Sequence, residues 1–317
     1  MNGRAELALR FAGPHVSVQD AGRPGFLRYG VPASGPMDRL ALAAANLALG
    51  NPAGAAGIEV SPGGLVLECL SGAVGFAVAG GGFIVDHAGH RGGGWRTATL
   101  RSGQGLAIRS GPWGSWCILA LAGRMEVAHW LGSAATHAAS GFGGGLLKAG
   151  MRLVVDETRC PAPRAIPFPV FARPRGALRV TLGPQERFFE PEAVAAFLAG
   201  PWRMTDARDR MGVRLAGPPI PPRGALDTPS EPVARGSVQV AGDGVATVLL
   251  ADHQPTGGYP KIATVLDCDL DAFVQSRPGD LLRFRPVSAT EAVDLARIHA
   301  ATQYRYLEAL RRARQST

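Results

Sequence analysis

Cys160-Pro-Ala-Pro-Arg-Ala-Ile-Pro-Phe-Pro-Val-Phe-Ala-Arg-Pro174 is the stretch that divides this chain of 317 residues. Its five prolines lack the N–H that a β-ladder requires, so the stretch cannot lie in a central strand of a sheet. We interpret it as an extended linker between two domains of similar length. The sequence therefore predicts one domain at residues 1–160, a second at residues 175–290 and a C-terminal helix at residues 288–314.

Short apolar runs recur on both sides of this linker, and each is bounded by Gly, Pro or Asp. Many short strands with turn residues between them are typical of barrels and sandwiches rather than of βαβ units. The sequence therefore predicts a mainly β fold. The runs are Gly64–Leu70, Ala73–Ala79, Trp116–Leu121, Ala177–Leu182, Ala246–Leu250 and Leu281–Phe284.

Three segments have helical signals. The first runs from about Met37 to Leu49, with its N-cap in the region of Ser34, and ends at a glycine. The second, residues 191–199, begins with proline and is followed by glycine. The third follows the capping box Ser288-Ala-Thr-Glu291 and extends to about residue 312.

Composition excludes several classes of function. The net charge is +8, but the basic residues are scattered, whereas a nucleic-acid-binding protein usually shows a basic stripe. Its four cysteines are far apart, which argues against a zinc site or a disulfide framework. The N-terminus has no secretory pattern, and no apolar run reaches the ~18–20 residues of a membrane span. We therefore expect a cytoplasmic protein that binds neither nucleic acid nor membrane.

Three polar segments are candidates for a functional site. The first, residues 18–38, is rich in glycine and proline and carries Asp20, Arg23 and Asp38. It is either a binding loop or a structural loop whose polar side chains bond the local backbone. The second, residues 208–215, would place three arginines on one face if it were a strand. These guanidinium groups could bind a carboxylate or phosphate, or could form surface salt bridges.

The third candidate segment, residues 251–261, contains Asp252 and His253, either of which could transfer a proton. Gly257 and Gly258 could present backbone N–H groups to an anion, or could form an ordinary turn. We do not predict a metal site. The chain has no Walker A loop, and neither of its lysines lies in the Met-Lys-Met context of a biotinylated lysine. ATP or biotin would therefore have to be bound by other chains.

Taken in order, the motifs identify the chain as similar to one family. They are VQDAGRPGFLRYGVPASGPMD (18–38), ANLALGN (45–51), IEV (58–60), LGSAATHAASGFGGGLLKAG (131–150), LGPQERFF (182–189), DRMGVRLAG (209–217), SVQV (237–240), ADHQPTGGYPKIATVLDCDL (251–270) and VQSRPGDLLRF (274–284). Over residues 12–287 the chain resembles the biotin-dependent carboxyltransferase-like family, allophanate hydrolase subunit 2. This family includes the C subunit of 5-oxoprolinase and is similar to part of urea carboxylase.

The resemblance implies two tandem cyclophilin-like β-barrel domains. It also implies a hetero-oligomer with a homologue of the family's B subunit, and in one branch with a third subunit too. That branch opens 5-oxoproline to glutamate with ATP, whereas another transfers a carboxyl group from carboxybiotin to urea. A further branch antagonises an inhibitor of a histidine kinase without catalysis. We expect the first, enzymatic function. Departures from the family pattern at Ala134, His137, Pro232, His253 and Pro255 predict a different substrate or a lower activity.

We hypothesise that the three candidate segments converge on one cleft. Asp38 or Asp252 would transfer a proton, and Arg23, Arg210 and Arg214 would hold an anionic group. The remaining predicted site residues are Tyr259 and Lys261 as secondary donors, and Asp20, Gln239, Gly257 and Gly258 as substrate-binding residues. We expect Arg210→Ala and Asp252→Asn each to remove most of the activity of the complex with little change in thermal stability.

Overall fold

The computed structural model describes residues 3–223 and 229–315. Its internal contacts divide the chain into two units. Unit 1 comprises Met1–Arg23, Ser34–Arg173 and Gln303–Thr317, and unit 2 comprises Pro24–Ala33 and Pro174–Thr302. The domain limits at residues 160 and 175 remain a prediction.

Unit 1 contains two antiparallel sheets and the helix of residues 39–49, and the C-terminal part of the last helix also belongs to it. The larger sheet has the order β11-β12-β1-β4-β9-β6-β7, and the smaller has the order β2-β3-β10-β5-β8. The strands are β1 (Gly3–Ala12), β2 (Ser17–Gln19), β3 (Gly57–Val60), β4 (Leu65–Ser71), β5 (Ala73–Gly80), β6 (Ile84–His87), β7 (His90–Gly93), β8 (Arg96–Arg101), β9 (Gly105–Arg109), β10 (Cys117–Leu121), β11 (Arg124–Met125) and β12 (Arg152–Thr158).

The core of unit 1 follows from the alternation of its strands. In β4, Leu65, Leu67 and Cys69 are buried and alternate with more exposed neighbours, as one sheet face turned toward the core requires. Helix α1 (Arg39–Leu49) packs its small apolar side chains against Ile118 of β10. It ends at a glycine with a φ of 77°, a left-handed conformation in which glycine is not strained.

Unit 2 contains a closed seven-stranded barrel with the order β13-β20-β17-β18-β15-β14-β21, which closes through the parallel pairing of β13 with β21. A two-stranded ribbon of β16 and β19 accompanies it. The strands are β13 (Ala177–Leu182), β14 (Trp202–Arg208), β15 (Gly212–Ala216), β16 (Glu231–Pro232), β17 (Ser237–Val240), β18 (Ala246–Leu249), β19 (Thr256–Gly257), β20 (Lys261–Val265) and β21 (Leu281–Pro286). The helices α2 (Pro191–Ala199) and α3 (Asp267–Phe273) lie in this unit, and α4 (Ala289–Gln315) is the C-terminal helix.

The structure confirms a mainly β fold with a barrel, short helices and a C-terminal helix. All six predicted strand segments are strands, and Ser288 caps α4 through its hydroxyl at 3.1 Å from the amide nitrogen of Glu291. Two details differ. The cap of α1 is Asp38 rather than Ser34, and α3 was not predicted. No helix within the described residues is long and apolar enough to cross a membrane.

Residues 208–215 do not form one strand, so the condition for a shared arginine face is not met. β14 ends at Arg208 and β15 begins at Gly212, so Arg210 lies in the connecting turn. The Asp209 carboxylate accepts hydrogen bonds from the amides of Met211 and Gly212 and thereby stabilises the turn. The three arginines therefore do not share a strand face.

Candidate functional site

A buried polar cluster in unit 1 brings the first candidate segment together with residues 133–136. Both carboxylate oxygens of Asp20 accept hydrogen bonds there, at 2.6 Å from the Ser133 hydroxyl and from the Ala134 amide. The Gln19 side chain donates to Thr136 O at 3.1 Å and to the Ser17 hydroxyl at 2.9 Å. The Asp20 carboxylate therefore orders two loops that are far apart in sequence.

Arg23 and Asp38 are both 2% exposed in unit 1. The Arg23 guanidinium donates to Ala135 O and lies 5.5 Å from the centroid of the Trp130 ring, a cation–π distance. Asp38 caps α1, because its carboxylate accepts from the Ala41 amide at 2.8 Å. The structure thus gives both residues a structural contact, while the anion-binding and proton-transfer roles remain predictions.

Sequence reasoning did not select Glu59, which is fully buried in β3. Its carboxylate accepts a hydrogen bond from the Met37 amide at 2.6 Å and so anchors the loop ahead of α1. Burial raises the pKa of the Cys117 thiol well above its ordinary value, and the negative charges of Glu59 and Asp38 raise it further. The IEV motif contained this glutamate, and a charged residue inside a short apolar strand was the available signal.

A second set of buried polar residues belongs to the strands and loops of the unit 2 barrel. Its residues come from the third candidate segment and from the strands and loops beside it. We call this set the unit 2 cluster: Gln185, Arg210, Glu231, Gln239, Asp252, His253, Gln254 and Lys261. Among these, Gln185, Arg210, Gln239, Asp252, His253 and Lys261 are each 3–4% exposed.

Lys261 is the most informative member of the unit 2 cluster. Its ammonium nitrogen lies 3.5 Å from the Glu231 carboxylate, whose side chain is 45% exposed. The side-chain amide of Gln185 donates a hydrogen bond to the same carboxylate at 2.8 Å. Its oxygen accepts one from the backbone amide of Lys261 at 3.0 Å. The buried Lys261 ammonium is thus paired with a carboxylate that is partly exposed to solvent. An anionic ligand could therefore displace Glu231 from the ammonium or bind the ammonium beside it.

Two glutamine amides continue the cluster. Gln239 lies opposite Lys261 in the pairing of β17 with β20, and its carbonyl oxygen accepts from Gln254 at 3.1 Å. Gly257 closely approaches Gln239, since a Cβ at this glycine would lie 2.5 Å from the Gln239 side-chain nitrogen. The glycine therefore allows the loop to lie against the amide. Tyr259 is 49% exposed at the same loop.

Arg210 and Asp252 form a bidentate ion pair with both side chains 5% exposed. The two N–O distances are 2.8 and 3.0 Å, and the Asp252 amide also donates to Arg210 O at 2.8 Å. This pair fastens the β14–β15 turn to the loop after β18. His253 is the next residue along the chain. Burial lowers the pKa of its imidazole, and the positive charge of Arg235 lowers it further. Its Nδ1 lies 2.7 Å from Gln254 O.

The other predicted residues are placed as follows. Arg214 lies in β15 and pairs with Asp243 at 2.9 Å, with both side chains about half exposed. It therefore does not join the Arg210–Asp252 pair. Asp20, Arg23 and Asp38 belong to unit 1, and all other predicted site residues belong to unit 2, so convergence of the three segments on one cleft remains a prediction. Within the described residues no group of three or more His, Cys, Asp or Glu could hold a metal ion.

Comparison with known proteins gives a consistent set of similarities. Residues 29–286 match the family described as carboxyltransferase domain, subdomain A and B. The chain is 32% identical to the C subunit of 5-oxoprolinase from Haemophilus influenzae over 94% of this chain and 95% of that protein. It is 29% identical to urea amidolyase of Saccharomyces cerevisiae, of which it spans 17%.

Solved structures agree with these sequence similarities. The crystal structure of the K. lactis urea amidolyase matches 96% of this chain with a TM-score of 0.84 and 26% identity. The chain spans 20% of that protein and 55% of the chain in another solved structure, to which it is 36% identical. Proteins similar to this chain therefore occur both as a separate subunit and as part of longer proteins.

Proposed function

Because this chain belongs to the carboxyltransferase domain family of subdomains A and B, we propose that it is one component of a multi-subunit, ATP-dependent 5-oxoprolinase. The carrying observation is the similarity to the C subunit of 5-oxoprolinase along 94% of this chain. The complex would hydrolyse 5-oxoproline to glutamate. Its partners would be a homologue of the B subunit and a third subunit, and these would bind ATP.

The chemistry of the unit 2 cluster fits this substrate. 5-Oxoproline carries a lactam, with one N–H donor and one carbonyl acceptor, and a carboxylate. A primary amide such as that of Gln239 or Gln254 offers the complementary acceptor and donor. The Lys261 ammonium would bind the carboxylate or an oxygen on which negative charge develops, where a preorganised donor contributes most.

The other residues around the cluster would position these groups. The backbone N–H groups of Gly257 and Gly258 would serve as further donors, with Tyr259 at the exposed edge. Arg210 and Asp252 would hold the loop in place rather than contact the substrate, since each already satisfies the other. Holding reacting groups in one geometry is itself a large contribution to a catalytic rate.

Carboxyl transfer to a urea-like amide is the second candidate function. The specific observation in its favour is the TM-score of 0.84 to the urea amidolyase structure. A ureido group presents the same pattern of N–H and carbonyl groups as a lactam, so the Gln239 and Gln254 amides would suit either. In this case a partner's carrier domain would deliver biotin, because neither lysine of this chain lies in a biotin-acceptor context.

The test is reconstitution with the B-subunit homologue and the third subunit. ATP hydrolysis and glutamate formation are measured with 5-oxoproline, urea and allophanate in parallel. We expect 5-oxoproline alone to stimulate ATP hydrolysis, with one glutamate formed for each ATP consumed. Stimulation by urea with bicarbonate would favour the carboxyl-transfer function. A stable complex that no substrate stimulates would overturn both and leave a regulatory, non-enzymatic role.

A further inference from the structure

A second, chemically different pocket lies in unit 1. It has a volume of about 480 Å³ and is formed by the start of β6, the β7–β8 connection and the segments near residues 112 and 168–173. Its volume falls within the roughly 300–1,000 Å³ that is common for small-molecule sites. The lining residues that matter are Phe83, Gly93, Trp95, Trp113, Phe168 and two arginines.

Aromatic rings form the walls of this pocket. Phe168 makes an edge contact with Trp95 at a centroid distance of 5.0 Å and a tilted contact with Trp113 at 5.4 Å. Phe83 also lines the pocket and is fully buried. A further flat ring that enters the pocket can make the same kind of offset or edge contact with these side chains.

The backbone around the pocket is fitted to these rings. Trp95 has a φ of 57°, a left-handed conformation that is strained for a bulky residue. Its indole N–H donates to Gly80 O, and its amide donates to Val78 O at 2.6 Å, which holds the ring in place. At Gly82, between β5 and β6, a Cβ would lie 2.3 Å from Trp113 Nε1, so only glycine lets this indole lie so close to the backbone. Such strain is found where an arrangement is fixed for a purpose.

Two arginines provide positive charge at the pocket. Arg173 is exposed, and its guanidinium lies 5.3 Å from the centroid of Phe168. Arg91 has a side chain that is 68% exposed and lies 3.8 Å from the Asp86 carboxylate, a distance too long for a strong ion pair. Both guanidinium groups therefore keep donors directed to solvent or to a ligand.

We propose that this pocket binds a flat aromatic ring that carries a carboxylate. The ring would lie in the pocket against Trp113 and Phe168, and its carboxylate would accept hydrogen bonds from Arg173 and Arg91. An aromatic pocket alone would take any apolar molecule, whereas the two guanidinium groups select an anion. None of the pocket's residues belongs to the unit 2 cluster, so the proposal stands independently of the proposed function.

The experiment compares two ligands of nearly equal shape, 2-naphthoate and its uncharged analogue 2-naphthamide. Isothermal titration calorimetry on the full chain measures both dissociation constants. We expect 2-naphthoate to bind at least about tenfold more tightly, because charge-assisted hydrogen bonds to guanidinium are stronger than neutral ones. Equal affinities, or no binding of 2-naphthoate at millimolar concentration, would overturn the proposal.

Three variants locate the binding. The double variant Arg91→Gln/Arg173→Gln should reduce the affinity for 2-naphthoate to that for 2-naphthamide. Gly93→Leu should abolish binding of both, since a Cβ there meets nothing within 4 Å and its φ is not left-handed, so the side chain can occupy the pocket without strain. Arg101→Gln is the matched control, an exposed arginine outside the pocket. Wild-type affinity in the Gly93→Leu variant, or an equal loss in the Arg101→Gln variant, would show that the ligand binds elsewhere.

Discussion

The substitution Asp252→Asn tests whether the Arg210–Asp252 pair positions the loop or performs chemistry. Both side chains are 5% exposed, and the carboxylate accepts two hydrogen bonds from the guanidinium. Asparagine would remove the negative charge from this buried ion pair. Breaking a buried pair in this way costs about 3–5 kcal/mol of the free energy of unfolding.

This cost translates into a large change in melting temperature. For a domain of this size each kcal/mol shifts the midpoint by about 2–4 °C, so we expect a decrease of roughly 6–20 °C in differential scanning calorimetry. The buried geometry thus replaces the expectation from sequence that stability would hardly change. The matched control is Asp243→Asn, which affects the exposed Arg214–Asp243 pair. Such pairs contribute about 0–1 kcal/mol, so the control should melt within a few degrees of the wild type.

The activity of the folded variant separates the two roles. The double variant Arg210→Met/Asp252→Leu replaces the pair with apolar groups, and this exchange often restores stability. If the pair only positions the loop, the double variant should recover both its melting temperature and most of its substrate-dependent ATP hydrolysis. The positioning role requires a decrease in melting temperature of at least about 6 °C for Asp252→Asn. A variant that melts within about 2 °C of the wild type and yet lacks activity would therefore refute that role.

Three further predictions follow from the geometry. Lys261→Met should lower 5-oxoproline-dependent ATP hydrolysis by a factor of roughly 10²–10³ in steady-state assays. It should cause little thermal destabilisation, because its partner Glu231 can remain hydrated. Unchanged turnover would show that Lys261 is not part of the site. Asp38→Ala should cost about 0.5–2 kcal/mol in urea unfolding through loss of the α1 cap, whereas Asp38→Asn, which still caps, should cost far less. Burial lowers the pKa of His253 in the folded state, so the unfolded chain takes up the proton first and stability should fall as pH decreases below the ordinary histidine pKa of about 6.5; His253→Gln should flatten that pH dependence between pH ~7 and ~5, and an unchanged slope would contradict the assignment.

The fold was largely predictable because its signals are local. Each predicted strand is a short apolar run between turn residues, and such a run needs no partner to be recognised. The hairpin turn at Asp209–Gly212 was not predicted, because the alternating arginines of this segment resemble one face of a strand. Aspartate at the first position and glycine at the fourth are typical of a type I turn, so the signal was present in the sequence. The helix α3 has only seven residues, too few to show a helical period.

The candidate site was only partly predictable because its contacts are long-range. Gln185 and Lys261 are 76 residues apart in sequence and share two hydrogen bonds through backbone and side chain. Glu231 joins them from a third segment. The residue types suggested polar chemistry at Lys261, but nothing local indicated that its partner would be Glu231. Barrel closure brings these segments together, and the sequence pattern does not encode which loops then meet.

The tripeptide Ser-Val-Gln occurs once in each unit, at residues 17–19 and 237–239, yet only one of the two polar clusters is a good candidate for catalysis. Ser17–Gln19 and Ser237–Val240 are both fully buried strands, and each glutamine side chain reaches the backbone of a later segment, Gln19 at Thr136 and Gln239 at Tyr259. In unit 1 the neighbouring charge, Asp20, is satisfied by backbone amides and a hydroxyl within the protein. In unit 2 the neighbouring charge is a buried ammonium whose carboxylate partner is half exposed. Two strands with the same tripeptide thus have different surroundings. The one in unit 1 lies beside a carboxylate that holds two loops together, and the one in unit 2 lies beside a charge that a ligand can reach.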